Sequence, residues 1–190
     1  MRLVFMVEES SMKELLEILL PNILPVGIEK PLIIPHNGKN DLAKSIPVKL
    51  RAWKNPDDKF IIVHDQDSND CYLLKTELHS LCKNSKNECL IRIVCTELES
   101  WYFGDLSAVS NAYGNDYTHL SVKRKYRTPD KIKNAKREFK TIVPTYQPIE
   151  GAKKIGGYLN VSNNTSNSFQ VFINGIYKLC GIDPINDTIN

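Results

Sequence analysis

The sequence predicts an α/β fold, in which a mostly parallel sheet of four strands is covered by helices on both faces. Four short apolar runs in the first half of the chain alternate with segments whose apolar residues have helical spacing. Buried parallel strands have continuous apolar runs of this kind, and the helices that join them cover the sheet. The second half is less regular and is predicted to be a helical extension.

The first strand and helix are predicted from the opening residues. Leu3 to Val7 is a continuous apolar run. Ser11 and Glu14 have the spacing of a capping box, which predicts that a helix begins there. Pro21 is expected to end this helix, because proline removes a backbone donor from a helix interior.

The second strand is predicted at Leu32 to Pro35, directly before the turn-forming pair Asn37 and Gly38. A helical pattern follows from Asp41 to Trp53. Pro47 lies within it and predicts a break or a restart of the helix.

Phe60 to His64 is the third predicted strand, and Leu90 to Cys95 is the fourth. Between them, either Asn69 or Asp70 is expected to cap a helix, since short polar side chains accept from free backbone N–H groups. Strands joined by helices of this length favour a parallel sheet.

The second half is predicted to contain helices and one long loop. Residues 1–113 are expected to form the α/β core, and residues 114–190 a basic loop and a helical extension packed on it as a single domain. The predicted segments are one or two helices over Leu98–Tyr113 broken at Gly104, a polar loop over Gly114–Arg127, and helices over Thr128–Thr141, Gly151–Leu159 and Phe169–Leu179.

Composition is typical of a globular protein, with 42 % hydrophobic and 25 % charged residues. No apolar run reaches membrane-spanning length and no signal-peptide pattern opens the chain, so a soluble, cytoplasmic protein without membrane contact is expected. The five cysteines form no Cys-x-x-Cys pair, which argues against zinc ribbons and redox motifs and predicts reduced thiols.

Charge is distributed unevenly along the chain. Residues 1–122 carry 13 Lys and Arg against 17 Asp and Glu, whereas residues 123–190 carry 12 against 5. Lys123, Arg124, Lys125 and Arg127 begin a basic tract that predicts contact with a nucleic-acid backbone, and Tyr126 is placed to stack on a base. The alternative is an ordinary solvated surface.

Two acidic clusters follow the first and third predicted strands. Glu8 and Glu9 follow one strand, and Asp65 and Asp67 follow the other. The carboxyl ends of parallel strands meet in the crevice where α/β sheets bind ligands. If the strands are neighbours, Glu8, Asp65 and Asp67 should share one cation, and oxygen ligands suit Mg²⁺ or Mn²⁺. The alternative is that these acids are loop residues and helix caps.

Glu97 and Glu99 follow the fourth strand at the same spacing. Glu99 is predicted to join Glu8, Asp65 and Asp67 as a catalytic residue, in a site with a second cation or an activated water. Glu97 has the alternative role of capping the next helix, where negative charge is favoured.

The placement of these acids resembles the TOPRIM fold, which has a Glu after the first strand and an Asp-x-Asp after the third. More of the chain resembles domain-of-unknown-function family 4276, which is usually placed among TOPRIM-like proteins. Glu9 stands where TOPRIM proteins usually have glycine. The stretches that carry the resemblance are Val7–Met12, Asn37–Leu42, His64–Cys71, Arg92–Tyr102 and Asn167–Phe169.

The resemblance implies a Rossmann-like, TOPRIM-like fold and a Mg²⁺- or Mn²⁺-dependent nuclease acting on DNA or RNA. It also implies a bacterial protein encoded near an ATPase of the AAA or ABC type, and hence an effector subunit in anti-phage defence. Two alternatives stay open, namely an inactive assembly module that partners the ATPase and a metal-dependent nucleotide phosphohydrolase. Association into a homo-oligomer is also left open.

Overall fold

The four predicted strands form one all-parallel sheet in a computed structural model that describes residues 1–183. The strand order is β2-β1-β3-β4. Val7 at the end of β1 pairs with Pro35 on one side and with Val63 on the other. This sheet confirms the predicted fold class. The strands are β1 (Arg2–Val7), β2 (Glu29–Pro35), β3 (Lys59–Asp65) and β4 (Cys89–Val94).

The described residues also form eight α-helices and two short 3₁₀ turns, at Thr118–Leu120 and Pro129–Lys131. The end of the predicted extension, residues 184–190, lies outside the described part of the chain. The helices are α1 (Ser10–Ile23), α2 (Lys39–Ala52), α3 (Cys71–Cys82), α4 (Glu99–Phe103), α5 (Leu106–Tyr113), α6 (Ala135–Ile142), α7 (Pro148–Gly156) and α8 (Asn167–Leu179).

The direction of the chain across the sheet decides which face each helix covers. From β1 the chain moves outward to β2, and it then returns past β1 to β3 and β4. Parallel crossovers are right-handed, so α1 lies on one face while α2 and α3 lie on the other. The direction reverses between β1 and β3, and the crevice at such a point is where α/β sheets bind ligands.

Alternating side chains of the strands build the two hydrophobic clusters. Leu3, Phe5 and Val7 pack against α1 and the C-terminal helices, whereas Val4 and Met6 pack against α2 and α3. All five side chains are fully buried. Burial of one such side chain contributes about 2 kcal/mol, so both faces hold the sheet in register.

Three predictions about proline and capping are wrong. α1 begins at Ser10 and runs past Pro21 to Ile23 without a side-chain cap. Asn22 supports the last turn by donating to the Ile18 carbonyl at 3.2 Å. α2 likewise continues through Pro47. Packing on the sheet therefore outweighs the local effect of proline.

The predicted helix over Thr128–Thr141 is also wrong in its first half. A 3₁₀ turn at Pro129–Lys131 is followed by Asn134, whose φ of 51° is left-handed, and only then does α6 begin. The break at Gly104 and the cap by Asp70 are confirmed. Asp70 accepts from the Leu73 N–H at 2.9 Å.

Gly104 allows the loop before α8 to approach the end of α4. A Cβ at this position would lie 2.0 Å from Asn164 Oδ1 and 2.8 Å from the Ser166 nitrogen. We expect Gly104→Ala to destabilise the fold by about 2 kcal/mol, because backbone must move to relieve the clash. Chemical denaturation measures this, with Gly114→Ala, which meets open space but has a positive φ, as the comparison for strain alone. Equal stability of wild type and Gly104→Ala would contradict the packing described.

Candidate active site

β1 and β3 are parallel neighbours, and the strand order reverses between them, so Glu8 and Asp65 come together at their carboxyl ends. The Asp65 backbone N–H donates to Glu8 Oε2 at 3.2 Å. Both residues line a small cavity of about 10 Å³, with Glu9 and Ser11 among its other walls. A space of this size holds about one water-sized sphere. The two acids thus meet at the edge of the sheet, as their placement after β1 and β3 predicts.

Asp65 is the most strongly perturbed carboxyl group of this cluster. Burial raises the pKa of Asp65 well above its usual range, and the charges of Glu99 and Glu8 raise it further. The Leu98 N–H, 3.4 Å from Asp65 Oδ2, opposes the rise. Within residues 1–183, no cationic side chain forms an ion pair with Asp65. Burial and the neighbouring acids therefore disfavour the ionised form of Asp65.

Glu8 is held by a buried histidine. His64 is 4 % exposed, and its Nδ1 lies 3.2 Å from Glu8 Oε2 and also contacts the Asp65 carbonyl. Burial is the largest influence on Glu8 and raises its pKa, whereas His64 and the Asp65 N–H lower it. These contacts fix the Glu8 carboxylate toward β3.

Asp67 does not lie beside Asp65 as an extended chain would place it. β3 ends at Asp65, and Asp67 has a left-handed φ of 52° with its N–H donating to the Thr96 carbonyl at 2.8 Å. Its exposed carboxylate lies 3.7 Å from Lys39 Nζ. Asp67 is close enough for its charge to raise the pKa of Glu8, but it faces a lysine instead of the shared cavity.

Glu99 is the third acid near Asp65, and it is 3 % exposed at the start of α4. Tyr146 donates its hydroxyl to Glu99 Oε1 at 2.6 Å. Burial raises the pKa of Glu99 to about 7, although the Tyr146 hydrogen bond opposes the rise. Glu8, Asp65 and Glu99 are called the acidic site below.

Lys136 reaches this edge from the C-terminal half of the chain. Its Nζ lies 3.3 Å from Glu9 Oε2, and its backbone N–H donates to Glu97 Oε2 at 3.0 Å. Glu97 thus accepts from an N–H group at the start of α6. It does not cap α4, the helix that follows it in sequence. The charge of Lys136 also lowers the pKa of Glu99. The sequence pattern does not identify Lys136, Tyr146 or His64 as partners of these acids, because each contacts an acid that is distant in sequence.

The first part of the basic tract is partly engaged with the protein itself. Lys125 Nζ lies 2.6 Å from Glu138 Oε2, and Arg127 Nε donates to the Val122 carbonyl. Tyr126 is 9 % exposed and stacks on Phe103 at 5.3 Å. The expectation that Tyr126 stacks on a base is therefore wrong, because its ring is packed in the core.

Lys131 and Lys133 instead line a cleft of about 710 Å³ together with Asp67 and Glu97, and this space is called the lysine cleft. Asp130 holds the wall in place by accepting from Ser166 and Ser168 hydroxyls at 2.7 and 2.9 Å. Both lysine side chains are exposed. The cleft thus places two lysines close to the loops that follow the carboxyl ends of β3 and β4.

The acids do not form a complete protein cage for a metal. Among the described residues, no three His, Cys, Asp or Glu side chains are arranged to hold one ion. Mg²⁺ seldom needs such a cage, since it is usually bound by one or two carboxylates, several waters and substrate phosphates. The carboxyl groups of Glu8 and Asp65, whose ionised forms are disfavoured by burial and would be favoured by a bound cation, fit that mode of binding.

Comparison with known proteins gives one match. The family described as "Domain of unknown function (DUF4276)" matches residues 7–177. No curated protein and no solved structure matches the chain. Within the described residues, no helix has both the length and the apolar character needed to cross a membrane.

Proposed function

The chain belongs to the DUF4276 family, and from its acidic site we propose that it is a Mg²⁺- or Mn²⁺-dependent nuclease that hydrolyses phosphodiester bonds. The observation that carries the proposal is the contact between Glu8 and Asp65 at the point of the parallel sheet where the strand order reverses. Among residues 1–183 Asp65 has no ion-pair partner, and both carboxyl groups have raised pKa values. A divalent cation relieves this repulsion.

The chemistry assigns separate roles to the surrounding residues. Asp65 would hold the ion, and the chemistry that a bound divalent ion would supply is neutralisation of charge on a phosphoryl oxygen and a lowered pKa for water. Glu8 would either hold the ion together with Asp65 or accept the proton of the attacking water. His64 positions Glu8, and Glu99 supplies negative charge behind Asp65. In hydrolysis the water oxygen bonds to phosphorus while the bond to the leaving sugar oxygen breaks.

A cleavage assay tests the proposal. Purified protein is incubated with single-stranded and duplex DNA and RNA in Mg²⁺ or Mn²⁺, with any co-purifying ATPase included. Cleavage should require the ion and stop when a chelator is added. Cleavage that continues at full rate in excess chelator would contradict a metal-dependent mechanism.

Co-purification with an AAA- or ABC-type ATPase would support the effector role in anti-phage defence, and its absence would favour a nuclease that acts alone.

A nucleotide phosphohydrolase is the second candidate, and one observation favours it. Two cavities, of about 470 and 710 Å³, lie next to the acidic site. Volumes of this order suit small-molecule ligands. Release of phosphate from nucleoside phosphates without cleavage of any polynucleotide would establish this alternative over the nuclease.

The placement of the lysines predicts which basic residues bind nucleic acid. Changing Lys131 and Lys133 together to Ala should weaken binding and flatten its salt dependence by about 1–2 units, because fewer counterions are released. Lys123→Ala with Arg124→Ala is the matched control, since it removes the same charge from exposed side chains outside the lysine cleft. Fluorescence anisotropy at several salt concentrations measures both. A larger loss in the control would place the contact at the start of the basic tract instead.

A further inference from the structure

A separate cavity of about 470 Å³ lies where three helices begin. Its walls include Ser10 and Ser11 at the start of α1, Gly38 before α2, and Ile149 in the first turn of α7. We call it the three-helix cavity. It adjoins the acidic site, because Glu9 and Ser11 line both this cavity and the small cavity beside Glu8 and Asp65, and Lys136 lines it as well.

The N-termini of these helices lack side-chain caps. None of α1, α2 and α7 has a side-chain cap hydrogen bond, and α1 has no acid in its first turn. The first N–H groups of a helix have no partner within the helix, and the helix dipole places positive charge at the same end. Asp41 and Glu150 lie in the first turns of α2 and α7, so the start of α1 is the end that attracts an anion most strongly.

His36 provides an independent indication of a ligand in the same cavity. The residue lines the cavity and is 7 % exposed. Its Nδ1 lies 2.9 Å from the Val7 carbonyl oxygen. A carbonyl only accepts, so Nδ1 carries the proton. Nε2, on the opposite side of the ring, is buried and has no hydrogen-bond partner in the described structure. A buried polar atom of this kind calls for a partner.

The remaining charges of the cavity favour an anion that can also approach Lys136. Lys136 Nζ is shared with Glu9 at 3.3 Å. Glu150, the other acid of the wall, lies 3.4 Å from Lys153. Each of the two acids therefore has a cationic partner, and the start of α1 has no side-chain cap hydrogen bond.

We propose that the three-helix cavity binds a phosphoryl group. Its oxygens accept from the free N–H groups at the start of α1 and from Lys136. His36 Nε2 accepts from a protonated phosphate oxygen. The phosphoryl group belongs either to a small phosphate compound or to a nucleic-acid strand that continues into the acidic site. The binding site itself does not depend on the proposed nuclease activity.

Substitution of Ser10 separates the effect of charge from that of shape. Ser10 is exposed and is the first residue of α1. Ser10→Asp places a carboxylate over the free N–H groups, where it stabilises the helix and excludes a second anion. Ser10→Asn has nearly the same size without the charge, and it serves as the matched control.

Titration with inorganic phosphate, without metal, tests the site by calorimetry and by the ¹⁵N resonance of His36 Nε2. Wild type and Ser10→Asn should bind and shift this resonance, whereas Ser10→Asp should bind roughly tenfold more weakly or not at all. Melting temperature should not fall in Ser10→Asp. No saturable binding to wild type, or equal binding to Ser10→Asp, would overturn the proposal.

Two further probes identify the source of the phosphoryl group. A nucleoside monophosphate that binds as tightly as a 5′-phosphorylated oligonucleotide indicates a small phosphate compound. Tighter binding of the oligonucleotide, lost in Ser10→Asp, indicates a strand that spans both sites. Because these titrations contain no metal and measure no cleavage, their failure is distinct from failure of the nuclease proposal.

Discussion

Asp65→Asn is expected to reduce metal-dependent cleavage by roughly a thousandfold, because it removes a charged ligand from the point where the substrate phosphate would be activated. Asparagine keeps the size of the side chain and still accepts from the Leu98 N–H. The fold should therefore be retained. In the absence of metal the melting temperature should even rise, because a buried carboxylate with a raised pKa destabilises the folded state at neutral pH.

Asp67→Asn is the matched control, since it makes the same chemical change two residues away. Asp67 is exposed and faces Lys39, so this variant should keep cleavage within about tenfold of wild type. Steady-state rates at saturating Mg²⁺ measure both variants. Equal loss in both would mean that Asp67 turns into the site when the ion binds, as its place in the sequence predicts. Full activity in Asp65→Asn would remove the acidic site from the mechanism.

Glu99 should make stability fall as pH rises, the reverse of a carboxylate whose pKa is lowered on folding by an ion pair. Its pKa is raised by burial from 4.5 to about 7, so the folded state binds a proton that the unfolded state has released. Stability is therefore greatest below pH 4.5 for this group and is lost as pH rises to about 7. Over that window the contribution amounts to about 3 kcal/mol.

Glu99→Gln should abolish this contribution. Glutamine can still accept the hydrogen bond from the Tyr146 hydroxyl through its carbonyl oxygen. Denaturant unfolding of the metal-free protein from about pH 5 to pH 8 should show a shallower decline in the variant than in wild type. Parallel curves would show that Glu99 is ionised throughout. Tyr146→Phe should act in the opposite direction, because loss of the hydrogen bond raises the pKa of Glu99 further.

β1 and β3 were predictable because both of their faces are buried, and such strands have continuous apolar runs. The predicted strand Leu3–Val7 is one residue shorter than β1, and the predicted strand Phe60–His64 is two residues shorter than β3. The prediction that Glu8 and Asp65 meet follows from those runs once β1 and β3 are neighbours. Local pattern and tertiary structure agree here.

The rest depends on contacts between residues far apart in sequence. Lys136 reaches Glu9 across 127 positions, and Tyr146 reaches Glu99 across 47. No local pattern encodes such pairs. Asp67 departs from the extended path because its N–H bonds to Thr96, which is also a tertiary contact. Proline in α1 and α2 was misjudged for a related reason, since packing on the sheet compensates for the missing hydrogen bond.

A crystal structure of the protein grown with Mn²⁺ tests the shared metal site directly. The anomalous difference map should show one peak in contact with the carboxylates of Glu8 and Asp65, at the small cavity between β1 and β3. The same crystals of Asp65→Asn should lack that peak. A Mn²⁺ peak elsewhere, with Glu8 and Asp65 unliganded, would contradict a metal-dependent active site at this edge of the sheet.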